Sequence, residues 1–286
     1  VSGTGGRLSA EGDAVPGSAD AAELRPPATG WARRAARSVL PGIAAFAVLF
    51  GGWEFGVRVT HIPATELVAP SAIFRELWRD PGFFASNAWI TLQEAFWGFL
   101  VAFAVAIGAA IVVVHSRVME RALTPIVVML QVTPILALAP PLVVWLGFGP
   151  QPKIVMAALI TFVPLFTNAT VGFRAIDPAT FEIMRSVDAS KTEIFRRLRV
   201  PHSLPYLLAA TRVCVGLALI GAVVAEFFNA SAGLGWIIEV AQNYQEASVV
   251  WAAIFTLIFL GVVLVGLVTL AQRRLLRWAE VDAANP

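Results

Sequence analysis

Six apolar runs, each near the length of a bilayer crossing, alternate with short polar segments along this chain. They cover residues 39–57, interrupted by Glu54; 88–114, charged only at Glu94; 123–148; 154–173; 204–228, carrying Arg212 and Glu226; and 247–271. A helix crosses the hydrocarbon with about 20 mostly apolar residues, because it satisfies its own backbone hydrogen bonds where no water is available. The pattern therefore predicts an all-α membrane protein with six transmembrane helices. Between the first and second runs, residues 70–78 put Ile73, Phe74, Leu77 and Trp78 on one face behind a possible cap at Ser71. That spacing predicts a short helix lying at the membrane interface, a depth that Trp favours.

Composition supports the membrane reading and removes other classes. Apolar residues make up 58% of the 286 and charged residues 14%, against about 25% charged in ordinary soluble domains. Mean hydropathy is +0.75. Disorder over most of the length is excluded by the same balance. The single cysteine, Cys214, allows no disulfide within one chain, and His61, His115 and His202 are scattered without metal-ligand spacing. No metal site and no cofactor are expected.

Charge placement sets a predicted orientation. With the N-terminus inside, sixteen Lys and Arg fall in cytoplasmic segments and four, Arg58, Arg75, Arg79 and Lys153, in outer ones. Cytoplasmic loops near span ends are enriched in these residues. Both termini and the long loop between the fourth and fifth spans are thus expected in the cytoplasm. Residues 1–37, rich in Gly, Ala, Ser, Pro and Asp, read as a disordered cytoplasmic tail ending in Trp31-Ala-Arg-Arg-Ala-Ala-Arg37. A cleaved signal peptide is the alternative, but the following run is of span length and no convincing small-x-small cleavage site precedes Trp53. Residues 38–278 form the predicted transmembrane domain and 279–286 a C-terminal cytoplasmic tail.

Prolines mark one span as irregular. Pro134, Pro140 and Pro141 fall within eight residues of the third run, and each removes a backbone donor. Such breaks suit a segment lining a solute path, although proline is also commoner in membrane helices generally. Glu226, Phe227 and Asn229 at the end of the fifth run are further candidates for the path, with an interfacial carboxylate as the plainer reading of Glu226.

The loop at 177–205 is too polar to span and too well patterned for a passive linker. Asp177 can cap a first helix with Pro178 at its first position, and Phe181, Met184 and Val187 share a face. Ser190-Lys-Thr-Glu193 fits a capping box for a second helix with an apolar stripe of Ile194, Phe195 and Leu198, stopped by Pro201. These stripes are expected to be buried against a cytoplasmic partner.

Here the chain resembles the permease subunit of bacterial ATP-binding-cassette importers, of the family for nitrate, taurine and aliphatic sulfonates, with relatives for pyrimidine and flavin precursors. The family motif is Glu-Ala-Ala, three residues, Gly, nine residues, Ile, one residue, Leu-Pro. Matching positions are Glu182-Ile183-Met184, Asp188, Leu198 and Val200-Pro201, with the spacing preserved. Ala189-Ser190, Val200-Pro201-His-Ser-Leu-Pro-Tyr206 and Ala232-Gly-Leu-Gly-Trp236 also resemble the family. Ile183-Met184 replaces Ala-Ala and Asp188 replaces Gly; Asp tolerates left-handed geometry, so a bend can survive there. The likeness covers about residues 40–278.

The resemblance implies the type I importer fold, with cytoplasmic coupling helices between spans four and five. It implies two copies of this chain forming the path, two copies of a separate ATPase docked on the loops, and an extracytoplasmic solute-binding protein, in the bacterial cytoplasmic membrane. It carries ATPase-coupling roles onto Phe181, Glu182, Met184, Arg185, Asp188, Ala189, Ser190, Ile194, Phe195, Leu198 and Pro201, with Glu182 gripping the ATPase or pairing with Arg185. No phosphate-binding Gly-x-x-x-x-Gly-Lys-[Ser/Thr] occurs in the chain, so it is expected to be a transport subunit rather than an enzyme. No nucleic-acid partner is expected. A secondary transporter driven by ions is the alternative; it needs ionisable groups near the midplane, where these spans are almost free of charge. A membrane enzyme needs clustered His, Asp, Glu or Cys at depth, which the pattern does not offer.

Overall fold

The computed structural model describes residues 30–60, 63, 67–228 and 230–275, the side chains of 30–40 excepted. Helix α1, Gly30–Thr60, holds the first run. It begins inside the stretch read as tail: residues 30–37 are helical, as suits an Ala- and Arg-rich segment of high helix propensity. Residues 1–29 and the C-terminal tail at 279–286 lie outside the described residues. The chain divides into two compact units at Phe55/Gly56. Within the first, the Phe50 ring stacks on Phe46 at 6.2 Å and on Trp53 at 6.1 Å.

In the second unit, α2, Pro70–Arg79, is a short helix where the spacing predicted one. Pro70, not Ser71, sets its start: Ala69 is the cap residue, and proline's fixed φ suits the first helical position. Ile73 is fully buried, whereas Trp78 stays exposed. The span α3, Pro81–His115, starts earlier than hydropathy suggested because Asp80 caps it, accepting from the Phe83 amide at 2.9 Å.

The third run is not one straight helix. It comprises α4, Arg117–Val132, a 3₁₀ turn at Ile135–Leu138 and α5, Ala139–Leu146. The two halves meet at 94°. Pro134 stands at the break, and Pro140 and Pro141 lie in the first turn of α5, where a missing N–H costs nothing.

Helix α6, Gln151–Arg174, is the centre of this unit, packed between α3 and α9, Val200–Glu226. Small residues allow the approach: Ala102, Ala106 and Ala110 repeat every four residues on α3 and are buried. A Cβ on Gly98 of α3 would stand 2.5 Å from the Ala157 Cβ, and one on Gly221 of α9 2.7 Å from the Ala157 Cα. One alanine of α6 is thus pinched between two glycines, the kind of contact that drives helix association where lipid is as apolar as the protein.

The polar loop forms α7, Pro178–Ser186, then α8, Lys191–Ile194, which runs through a π turn at Phe195–Arg199 into α9. The expected stop at Pro201 is absent. The Val200 amide reaches back five residues to the Phe195 carbonyl, and this wider turn takes up the donor that Pro201 lacks. After α9 come a short α10, Leu234–Asn243, and the last span α11, Ala247–Leu275. Six crossings result when the bent α4–α5 pair is taken as one. Among the described residues there is no strand.

Candidate functional site

Local sequence builds the α7–α8 loop. Asp177 caps α7: its Oδ2 accepts the Thr180 amide and hydroxyl, each at 3.0 Å. These bonds to the ionised form hold the Asp177 carboxyl below its ordinary range. Helix α7 ends at Asp188 in a left-handed conformation, φ +53°. The Asp188 amide donates to the Arg185 carbonyl and the Ala189 amide to Met184, both at 3.1 Å. This is the paired closure in which glycine usually occupies the left-handed position. The motif glycine replaced by Asp188 therefore has a conformational counterpart here. Ser190 then forms the reciprocal cap with Glu193: the Glu193 amide donates to Ser190 Oγ at 3.2 Å, and the Ser190 amide donates to Glu193 Oε2 at 3.0 Å.

The apolar stripes of the loop separate into two groups. Ile194 is 7% exposed and Leu198 5%, while Phe195 packs on His115 at 5.2 Å and Phe173 at 5.4 Å. These three side chains, expected to face a partner, are instead covered within the chain, and Phe195 anchors the loop to helices α3 and α6. The stripe was legible, but what covers it is fixed by tertiary structure. Phe181, Met184 and Ala189 are half-buried; Glu182, Arg185 and Ser190 are exposed. Ile183 and Val187 are 64% and 69% exposed. Glu182 and Arg185 form no ion pair with each other, and among the described residues the exposed Glu182 carboxylate has no ion-pair partner. Arg174 instead ties α6 to α4 through Glu120 at 3.0 Å.

At the opposite end of the helices a second polar group closes around Glu226. Its Oε1 accepts the Thr91 hydroxyl at 2.7 Å and its Oε2 the Gly235 amide at 2.5 Å. Asn87 accepts the Gly233 amide at 2.7 Å, and Thr91 Oγ1 accepts the Leu234 amide at 2.9 Å. The first amides of α10, which have no partner inside their own helix, are thereby satisfied by α3 and α9. Glu94 lies beside this group, and Lys153 Nζ stands 3.4 Å from its Oε1 as countercharge. Gly233, at φ +113°, leaves no room for a Cβ, which would strike the Glu226 carboxyl.

Among the pathway candidates, Glu226 is 1% exposed, and both its oxygens are engaged in holding α10. Pro134 and Pro140 are exposed, Pro141 half-buried and Phe227 37% exposed; Asn229 lies outside the described residues. Asn87, Thr91 and Lys153 were missed. The signal available was a polar stripe at i, i+4 and i+7 through Glu94 on an otherwise apolar span, together with the glycines of Ala232-Gly-Leu-Gly-Trp236. The described residues contain no cluster able to hold a metal ion.

Residues 98–277 match the family model described as "Binding-protein-dependent transport system inner membrane component". The chain belongs to that family. It is 32% identical over 228 residues to the riboflavin transport system permease protein RibX of Chloroflexus aurantiacus, spanning 79% of this chain and 85% of that one. The putative aliphatic sulfonates transport permease protein SsuC of Bacillus subtilis is 30% identical, over 84% of this chain and 87% of its own length. The formylaminopyrimidine transport permease protein ThiX of Halalkalibacterium halodurans is 29% identical, over 82% and 94%. In structure, the chain superimposes on a chain of the MetNI methionine ABC transporter in an inward facing conformation, TM-score 0.58 at 21% identity, covering 68% of this chain and 95% of that one. The fold is that of the type I importer permease. This protein is the multi-pass inner-membrane transport subunit of an ABC importer, not an enzyme: ATP hydrolysis belongs to a separate subunit, and a solute-binding protein completes the system.

Proposed function

We propose that two copies of this permease form one solute path, with both termini and the α7–α8 loops in the cytoplasm and one ATPase docked on each loop. The excess of Lys and Arg on that side supports the orientation. The observation that carries the coupling role is the outer face of α7: Glu182, Ile183, Arg185 and Val187 are exposed, while the caps at Asp177 and Asp188 fix both ends of the helix and Ile194 and Leu198 seat the following segment. Phe181, Met184, Ala189 and Ser190 support that face from the side, and Pro201 carries the loop into α9. Closure of the ATPase pair on nucleotide draws the two loops together and biases the path between inward- and outward-open states.

The solute is a small molecule: a flavin, a pyrimidine precursor or an aliphatic sulfonate is in range from the names of the relatives, and taurine and nitrate from the family that the sequence resembles. Identities of 32%, 30% and 29% to permeases of three different solutes do not separate them. The test is to co-express the permease with the ATPase of its own operon and purify the pair. Retention by wild type and loss with Glu182→Arg and Ile183→Glu is the expected result. Equal retention by the variants removes the docking role of α7. Uptake of radiolabelled riboflavin, formylaminopyrimidine, taurine, nitrate and an aliphatic sulfonate then identifies the solute.

A further inference from the structure

We infer that the groove between α9 and α11 is a binding site for an anionic phospholipid. The groove holds about 690 Å³ and is bordered by Arg212, Val265, Gly266, Thr269 and Arg273, with Gly261 in its wall. Its walls are otherwise apolar. At Gly266 an added Cβ would meet open space, and at Gly261 only Leu219 Cδ1 at 3.9 Å. The missing side chains leave a channel along α11 of the kind an acyl chain can fill.

The two arginines stand at one end of this channel. Helices α9 and α11 run antiparallel, and the approach of Leu219 to Gly261 fixes their register. Seven residues from that contact put Arg212 level with residue 268, and Arg273 lies roughly 8 Å further along α11. In an α-helix every Cβ leans toward the N-terminus. Arg212 on α9 therefore leans toward the loop end and Arg273 on α11 leans back into the membrane, so the antiparallel pair directs both guanidinium groups to an intermediate level. Both side chains are exposed, and among the described residues neither has an ion-pair partner. Two unpaired forked donors above an apolar channel complement a phosphodiester headgroup with its acyl chains below. The membrane setting rests on the family fold, and the leaflet, the cytoplasmic one, rests on the orientation proposed above.

The test uses the full-length chain in detergent, titrated with dioleoylphosphatidylglycerol or dioleoylphosphatidylcholine and read by native mass spectrometry. Two guanidinium groups give an expected preference of roughly thirtyfold for the anionic lipid. Arg212→Gln or Arg273→Gln alone reduces it to about fivefold, and the pair abolishes it. Arg121→Gln, an equal charge change on α4, leaves it unaltered. An unchanged preference in the double variant overturns the site, as does an equal loss with Arg121→Gln, which would make the attraction a general property of the basic surface. Equal competition by soluble glycerol 3-phosphate would make it a free-anion site and also overturn the proposal. Val265→Trp fills the channel and lowers retention of both lipids; if it instead changes oligomeric mass with lipid retention intact, a second copy occupies the groove. Retention depends on neither the ATPase nor sidedness, so an inverted topology found by accessibility labelling would fail the orientation and leave the site standing.

Discussion

Thr91 joins two elements that are far apart in sequence: its hydroxyl donates to Glu226 Oε1 at 2.7 Å while its oxygen accepts the Leu234 amide at 2.9 Å. One side chain of α3 thus closes both the end of α9 and the start of α10. It is fully buried. Replacing it by valine keeps the volume but leaves the Leu234 amide and one Glu226 oxygen without a partner, at about 1–3 kcal/mol for a buried group left unmet. Thr91→Val is therefore expected to lower the thermal midpoint in detergent, and Thr91→Ser to retain most of it. Equal midpoints for Val and wild type would show that the network contributes nothing to the resting fold.

Glu226 invites a contrasting substitution. Glutamine keeps a carbonyl acceptor for the Gly235 amide and turns its NH₂ to Thr91 Oγ1, which accepts only when the Thr91 hydroxyl swings to the Asn87 carbonyl at 3.2 Å, so the bond at 2.7 Å is exchanged for a weaker arrangement. Glu226→Gln should destabilise less than Glu226→Ala, which loses both acceptors and leaves space against Gly233 and Gly235. Limited proteolysis between α9 and α10 is the local readout. Faster cleavage in the order wild type, Gln, Ala is expected, and indistinguishable rates would remove the holding role of this carboxylate.

Asp188 carries a backbone conformation that costs an L-residue about 1–2 kcal/mol. Asp188→Gly should relieve part of that cost and stabilise the end of α7, whereas a β-branched valine should destabilise it beyond Asp. Hydrogen exchange at the Asp188 and Ala189 amides, which close the turn, reports the effect directly. Slower exchange in the Gly variant and faster exchange in the Val variant are expected; the reverse order would mean that the turn is held by something other than its own backbone.

What could be read from sequence was what chain neighbours decide. The Asp177 cap and the Ser190–Glu193 box depend on residues three apart, and both formed as their spacing indicated. The proline cluster announced the break between α4 and α5 but not its 94° angle, which depends on what each half packs against. Ile194, Phe195 and Leu198 announced a buried stripe without saying that Phe195 would pack on His115 of α3 and Phe173 of α6. Asn87, Thr91, Lys153 and Glu226 come from three helices, and no local periodicity brings them together. Pro201 misled because a π turn just before it absorbs the lost donor.

Ala157 sets the spacing of three helices, so enlarging either glycine beside it should be felt. A methyl on Gly98 would meet the Ala157 Cβ at 2.5 Å and the Ile154 carbonyl at 2.7 Å. Overpacking of this kind costs about 1–3 kcal/mol. Gly98→Ala is expected to lower the thermal midpoint, and adding Ala157→Gly to recover part of the loss, since it removes the Cβ contact but not the carbonyl one. A double-mutant cycle measures the coupling; additive effects would mean that these helices separate freely at this point.

The loop should loosen in acid, and the sign follows from its two caps. Asp177 is held below its ordinary 3.8 by the Thr180 amide and hydroxyl, and Glu193 below 4.5 by the Ser190 amide and hydroxyl. A carboxyl whose value is lower in the folded loop contributes stability fully above its unfolded value, and that contribution is lost as pH falls through the folded one. Protection of the Thr180 and Glu193 amides, corrected for intrinsic exchange, should hold from pH 7 to about pH 5 and decline below pH 4. Asn caps a helix about as well as Asp, and Gln can complete a capping box, so Asp177→Asn and Glu193→Gln should preserve the loop at neutral pH while flattening its acid response. If wild type keeps full protection to pH 3, or the neutral variants decline as it does, the caps are not what titrates, and acid acts on the loop through groups elsewhere in the bundle.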